Sequence, residues 1–140
     1  MMNNNERYEK GIEKLMEFTT ENDEASTHLK IVEHLKDIAP EVGQYIIEFA
    51  YGEIYTRGRL TNQQRALVTI ASLVTQGTEP QLELHINTGL TAGLTPEEIV
   101  ESFVQLIPYT GFPRILNALT VAKKVFSQRG VAVKGEEVHS

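Results

Sequence analysis

The run Gly93-Leu94-Thr95-Pro96-Glu97-Glu98-Ile99 stops one helix and starts another almost at once. Glycine lacks the Cβ that penalises a left-handed residue just past a helix end, so Gly93 closes the helix before it. Thr95 then caps the next helix, Pro96 occupies a first-turn position where its missing N–H is not needed, and Glu98 three residues after the cap completes a capping box. Glu97 and Glu98 also lie at the positive end of the new helix dipole. A chain punctuated in this way folds as two helices meeting at a tight corner.

The rest of the sequence follows the same grammar. Apolar residues recur at helical spacing, and no alternating run is long enough to demand a strand, so the expected class is all-α. A first helix is expected over residues 8–18, then a polar, acidic connection over 19–25. A second covers about 26–38 and ends at Ala39-Pro40, because proline disfavours helical geometry in the residue before it. A third runs from Pro40 through Tyr45, Ile46, Phe49, Ala50 and Ile54 until Arg57-Gly58-Arg59 stops it. Thr61 to Gln64 repeats the capping-box pattern and opens a fourth helix, about 62–76, with apolar residues on most faces and therefore near-complete burial. The fifth begins near Glu79-Pro80 and carries Leu82, His85, Ile86 and Leu90. The sixth carries Ile99, Val100, Phe103, Val104, Leu106 and Ile107 and ends near Pro108, and the last spans about 113–128 before Gly130.

With 140 residues the chain reads as a single domain whose core covers about residues 26–130, followed by a polar flexible tail over 131–140. A formal net charge of −6 and a pI near 5.2 argue against a nucleic-acid partner, which needs clustered Lys and Arg. The sequence contains no cysteine, which excludes disulfides, thiolate metal sites and thiol redox chemistry together. The N-terminal residues lack the apolar stretch of a secretory signal and no apolar run reaches membrane-spanning length, so a cytoplasmic protein with no membrane partner is expected. The histidines at 28, 34, 85 and 139 form no convincing metal-ligand spacing, and no metal is expected. Heavily apolar helices in so small a domain favour a homo-oligomer.

Several residues can carry chemistry. On the fifth helix Leu82, His85, Ile86 and Gly89 are spaced by three and four, which puts an imidazole along the apolar stripe. Two readings stay open: a core histidine satisfied by one backbone or hydroxyl partner, or a general acid tuned by its neighbours. Arg65 opens a helix otherwise built for burial, so its guanidinium needs an anionic partner, either Glu48 or Glu53 of the preceding helix or a bound anion. Tyr51, Tyr55 and Tyr109 can offer hydroxyls to a pocket, although tyrosine near a helix end is often packing with a wet tip. Tyr109-Thr110-Gly111-Phe112-Pro113 forms a bend in which Gly111 lets a backbone approach a ligand closely. Arg57, Arg59 and Arg114 are weaker anion-binding candidates. No nucleotide loop, nucleophile elbow or zinc signature is present.

Taken together, Phe49-Ala50-Tyr51-Gly52-Glu53-Ile54-Tyr55, residues 60–71, Glu83-Leu84-His85, residues 93–99 and residues 109–113 resemble the carboxymuconolactone decarboxylase family, with a likeness covering about residues 37–126. Arg65 followed by Ala66-Leu67-Val68-Thr69-Ile70-Ala71 is similar to the decarboxylase branch. The alkylhydroperoxidase D branch carries a C-x-x-C pair with a histidine four residues beyond the second cysteine. Those places here hold Thr78 and Gln81, so a disulfide relay is excluded.

The resemblance implies a compact helical subunit of the alkylhydroperoxidase D-like type, assembled into a ring that is commonly a hexamer. It implies a reaction without cofactor, converting 4-carboxymuconolactone or a similar lactone acid to an enol-lactone in aromatic-acid catabolism. On that basis His85 is expected to supply a proton, Arg65 to clamp a carboxylate or developing oxyanion, and Glu48 or Glu53 to orient one of them. Tyr55, Tyr109, Gly111 and Arg114 are the expected substrate contacts. Two alternatives accompany this: a related decarboxylase or isomerase on another lactone or 3-oxo acid, and a non-catalytic oligomer that binds a small acid or a protein.

Overall fold

The computed structural model describes residues 4–19 and 28–135. Every regular element among them is helical, as expected: α1 (Asn4–Met16), α2 (His28–Leu35), α3 (Pro40–Tyr45), α4 (Asn62–Gln76), α5 (Glu79–Thr91), α6 (Pro96–Thr110) and α7 (Phe112–Arg129). None is long and apolar enough to cross a membrane. The expected start of the second helix at residue 26 and the last five tail residues lie outside the described residues.

The corner between α5 and α6 forms as its residues dictate. Gly93 takes φ +108°, Leu94 N–H bonds back to the Gly89 carbonyl at 2.9 Å, and Gly93 N–H bonds to Leu90 at 3.1 Å, which is a Schellman closure. Thr95 Oγ1 accepts from Glu98 N–H at 3.1 Å while the Glu98 carboxylate accepts from Thr95 N–H at 3.0 Å. Thr61 and Gln64 make the same reciprocal pair at the start of α4.

Helices α4, α5, α6 and α7 pack on one another around Ile70, Ile86, Ile99, Phe103 and Val125. Leu15 and Phe18 from the N-terminal end and Tyr51 join the same apolar cluster.

One boundary and one burial differ from expectation. The sixth helix runs through Pro108 to Thr110, and Gly111 N–H still bonds to the Ile107 carbonyl. Proline in the last turn removes one backbone donor, which the helix tolerates because only its final residues follow. Helix α4 buries Ala66, Ile70 and Val74 but leaves Val68 64 % exposed, so within one chain it is a one-faced helix. The tail does not leave the surface at Gly130: residues 131–133 lie along α7, and Lys134 N–H donates to the Glu97 carboxylate at 2.6 Å.

The largest departure is in the third helix. After Tyr45 the chain continues without a break but as a π-helix, Ile46–Ile54, closed by Tyr55 N–H to the Ala50 carbonyl five residues back at 2.9 Å. A wider turn aligns residues four and five apart. It therefore places Ile46, Ala50, Tyr51 and Tyr55 on one side, with the Tyr51 and Tyr55 rings stacked at 4.4 Å.

Helix α1 holds this segment by backbone-to-backbone contact. A Cβ on Gly11 would collide with the Ile47 carbonyl oxygen, and one on Gly52 would lie 2.6 Å from the Arg7 carbonyl oxygen. Neither obstacle is a flexible side chain, so Gly11→Ala and Gly52→Ala should each cost about 1–3 kcal/mol through forced separation of the two elements. Gly58→Ala meets nothing within 4 Å and should stay within about 0.5 kcal/mol of the parent. Urea unfolding midpoints of the three variants check this; equal midpoints would remove the close crossing as a constraint.

Candidate functional site

The side of the π-helical segment bearing the tyrosines faces a cavity of about 310 Å³, within the range of small-molecule sites. Its floor and walls combine apolar Ile31, Ile46 and Ala50 with the hydroxyls of Tyr51, Tyr55 and Thr69. Gln81 and His85 enter from α5 and His28 from the first turn of α2. A larger open groove of about 680 Å³ between α4 and α6 is mostly apolar and carries no imidazole.

His85 sits where the spacing on α5 placed it, with Leu82, Ile86 and Gly89 buried on the same stripe. His28 was invisible as a partner because it lies 57 positions away by number, and its neighbours are not local. The two rings meet edge to face with centroids 4.9 Å apart. On its other side, the Tyr51 hydroxyl lies 3.1 and 3.2 Å from the two ring nitrogens of His28. It spans the ring edge and donates to whichever nitrogen lacks a proton. Tyr51 is in turn braced by Phe18, whose ring stands edge-on to Tyr51 at 6.0 Å and to Tyr55 at 5.4 Å.

Burial sets the charge state of these groups. Desolvation, with His85 adding repulsion, pushes the His28 imidazole down to about 3. Desolvation alone pushes His85 down to about 4. Burial also drives the Tyr51 hydroxyl far above its ordinary value, with Tyr55 reinforcing it, so the phenol keeps its proton. At neutral pH the cavity holds two uncharged imidazoles and a fixed O–H donor. Tyr55 Oη and Thr69 Oγ1 are 3.1 Å apart and link the π-helical segment to α4.

The remaining candidates are placed as follows. Arg65 stands one turn before Thr69 on α4, but its guanidinium donates to the Arg57 carbonyl, and its buried Nε has no hydrogen-bond partner among the described residues. Glu48 is buried and accepts from Gln44 Nε2 at 3.2 Å. Glu53 pairs with Arg7 of α1 at 2.6 Å. None of these three lines the cavity, nor does Arg65 meet either carboxylate. Tyr109 is 80 % exposed, Gly111 takes φ +92° at the α6–α7 bend, and Arg114 Nη1 donates to the Gln76 carbonyl at 3.2 Å. Within one chain the fold thus joins His85 with Tyr55 and leaves the other candidates elsewhere. Among the described residues no three His, Asp or Glu side chains group as metal ligands would.

Of the two places where the redox branch carries cysteines, Thr78 precedes α5 and Gln81 faces the cavity beside His85. An amide there can donate or accept a hydrogen bond but cannot exchange disulfides.

The model of the carboxymuconolactone decarboxylase family matches residues 40–124, a span containing the π-helical segment and α4 to most of α7. A 4-carboxymuconolactone decarboxylase of Acinetobacter baylyi is 33% identical over 132 residues, covering 94% of this chain and 95% of that protein. A nitrosuccinic acid decarboxylase of Metarhizium robertsii is 30% identical over 93 residues, covering 66% of this chain and 64% of its own. An uncharacterised 15.0 kDa protein of Paracoccus denitrificans is 30% identical over 96 residues, 67% of this chain and 72% of that one.

The lowered imidazoles fix a pH dependence of stability. Both folded values lie below the ordinary 6.5, so the unfolded chain binds protons that the folded chain excludes. Stability should be complete above about pH 6.5 and fall as pH drops toward the folded values, by at most about 1.4 kcal/mol per pH unit for each imidazole. Urea midpoints taken from about pH 7 to about pH 5 should show a steeper loss in the parent than in a His28→Gln/His85→Gln double variant; equal slopes would contradict the buried neutral pair.

Proposed function

Since this chain belongs to the carboxymuconolactone decarboxylase family, we propose that the His85 cavity decarboxylates a small carboxylic acid, with 4-carboxymuconolactone as the first substrate to test. The observation that carries the reading is the convergence of an imidazole, phenol hydroxyls and an amide in one small, largely apolar cavity. Decarboxylation of such a lactone needs little else. The carbon–carboxylate bond breaks, the electron pair passes through the ring double bond to the lactone carbonyl oxygen, and the resulting dienolate is protonated on carbon.

Each demand has a matching group. The apolar walls favour loss of a charged carboxylate as neutral carbon dioxide, because the charged form is poorly solvated there. The Tyr55 hydroxyl and Gln81 amide can donate to the developing oxyanion, where preorganised donors act most strongly out of water. His85 is the proton carrier. The Arg65 clamp remains part of the proposal only if its guanidinium leaves the Arg57 carbonyl, and Glu48, Glu53, Tyr109, Gly111 and Arg114 have no assigned step within one chain.

The nitrosuccinic acid decarboxylase among the relatives supports a second substrate class, an acid whose departing electron pair is drawn into a nitro group. Both substrates share one chemistry: a carboxylate leaving toward an electron-withdrawing neighbour. Assembly into a six-membered ring, as the family resemblance implies, and a cytoplasmic location belong to the same proposal. Large apolar side chains left on the surface of a single chain, among them Phe49, Val68, Phe112 and Leu116, support the assembly.

The test is to incubate the protein with 4-carboxymuconolactone and follow ultraviolet absorbance with carbon dioxide release. Turnover is expected in the parent, and His85→Gln should lower kcat on the order of 10²-fold with helical content unchanged. Full turnover in a folded His85→Gln protein would remove His85 from the chemistry.

A further inference from the structure

The charge content of the cavity is the unusual quantity. The chain has 13 Lys and Arg side chains, all within the described residues, and none of them lines the cavity. No Asp or Glu among the described residues lines it either. A carboxylate brought into such walls keeps its charge only if an opposite charge meets it. Among the described residues two lining groups can become positive, His28 from α2 and His85 from α5.

Their geometry limits them to one added proton between them. The rings are 4.9 Å apart, so a second positive charge would be opposed by the first at close range. Among the described residues the groups facing the pair are uncharged: Tyr51 against His28, Tyr55 on the same π-helical side, Thr69 from α4 and Gln81 on the His85 helix. We propose that His28 and His85 form a single-proton pair that takes up one proton together with a carboxylate, which makes His28 part of the anion-binding site and supplies the proton that His85 delivers.

Burial supports this directly, since it holds both rings neutral at ordinary pH. An adjacent carboxylate raises an imidazole's proton affinity by opposite-charge attraction. The delivery step rests on the decarboxylase reading, whereas the uptake does not. The balance closes: the pair gains a proton from solvent as the carboxylate binds, and the carbon–carboxylate bond breaks to release carbon dioxide. The electron pair enters the substrate's acceptor group, and the imidazolium gives its proton to carbon, which returns the pair to neutrality.

The probe is 5-oxotetrahydrofuran-2-carboxylate, which has a lactone and a carboxylate but no ring double bond to accept electrons. Isothermal titration calorimetry in two buffers of different protonation enthalpy counts protons taken up on binding. The account expects about one proton per carboxylate bound, none with the methyl ester, and an affinity that falls about tenfold per pH unit between pH 6.5 and 8. His28→Gln and His85→Gln should each weaken carboxylate binding about tenfold or more, with little change for the ester.

Carboxylate binding without proton uptake overturns the proposal, as does failure to bind the carboxylate at all. Binding without uptake that is lost in Arg65→Ala would assign the charge to that guanidinium instead. The pH series on the parent protein stands even if a histidine variant does not fold. Uptake with no carbon dioxide release from 4-carboxymuconolactone would sink the decarboxylase reading and leave the pair; turnover without uptake would do the reverse.

Discussion

Where α1 crosses the π-helical segment, the two backbones touch because neither Gly11 nor Gly52 carries a side chain. That contact fixes the segment at a distance that no larger residue permits. The position of everything the segment carries follows from it. Tyr51 and Tyr55 face inward because the widened turn aligns them, and Phe18, just past the end of α1, buttresses both rings edge-on. Arg7 of α1 adds an ion pair to Glu53. This pair is partly exposed and contributes modestly beside the packing.

The electrostatics of the cavity depend on that packing. With Tyr51 buried, its hydroxyl keeps its proton and caps His28, and with His28 in place one side of His85 is shielded from water. The Tyr51 hydroxyl and the His28 ring satisfy each other, which is how a polar pair persists in an apolar setting. The arrangement holds two imidazoles in their neutral forms at a pH where free imidazole would be partly charged. It is a poor site for storing a permanent charge and a suitable one for acquiring charge with an anionic ligand.

Much of this fold is legible in the residues alone. Both capping boxes, the glycine closure at Gly93 and the apolar stripe carrying His85 follow from local rules, and local rules act within four residues. The π-helical turn is not legible, because an apolar pattern over nine residues does not distinguish hydrogen bonds to the fourth residue from bonds to the fifth. The pairing of Glu53 with Arg7 of α1 is likewise tertiary and has no local pattern to announce it. Arg65 illustrates a second limit: its partner is a main-chain carbonyl, which every residue has and no sequence advertises. His28 illustrates a third, since a histidine in the first turn of α2 acquires meaning only from Tyr51 and His85, brought together by tertiary packing.

Family membership gives the chemical class, and the cavity gives the account its physical content: two adjacent imidazoles, uncharged at rest, beside a locked phenol. The most direct measurement is nitrogen-15 NMR of histidine-labelled protein across a pH titration without ligand, with each ring assigned by its Gln variant. His28 and His85 should both show neutral-ring nitrogen shifts at pH 7 and remain neutral down to pH 5. A charged ring at either position at pH 7 would contradict the account.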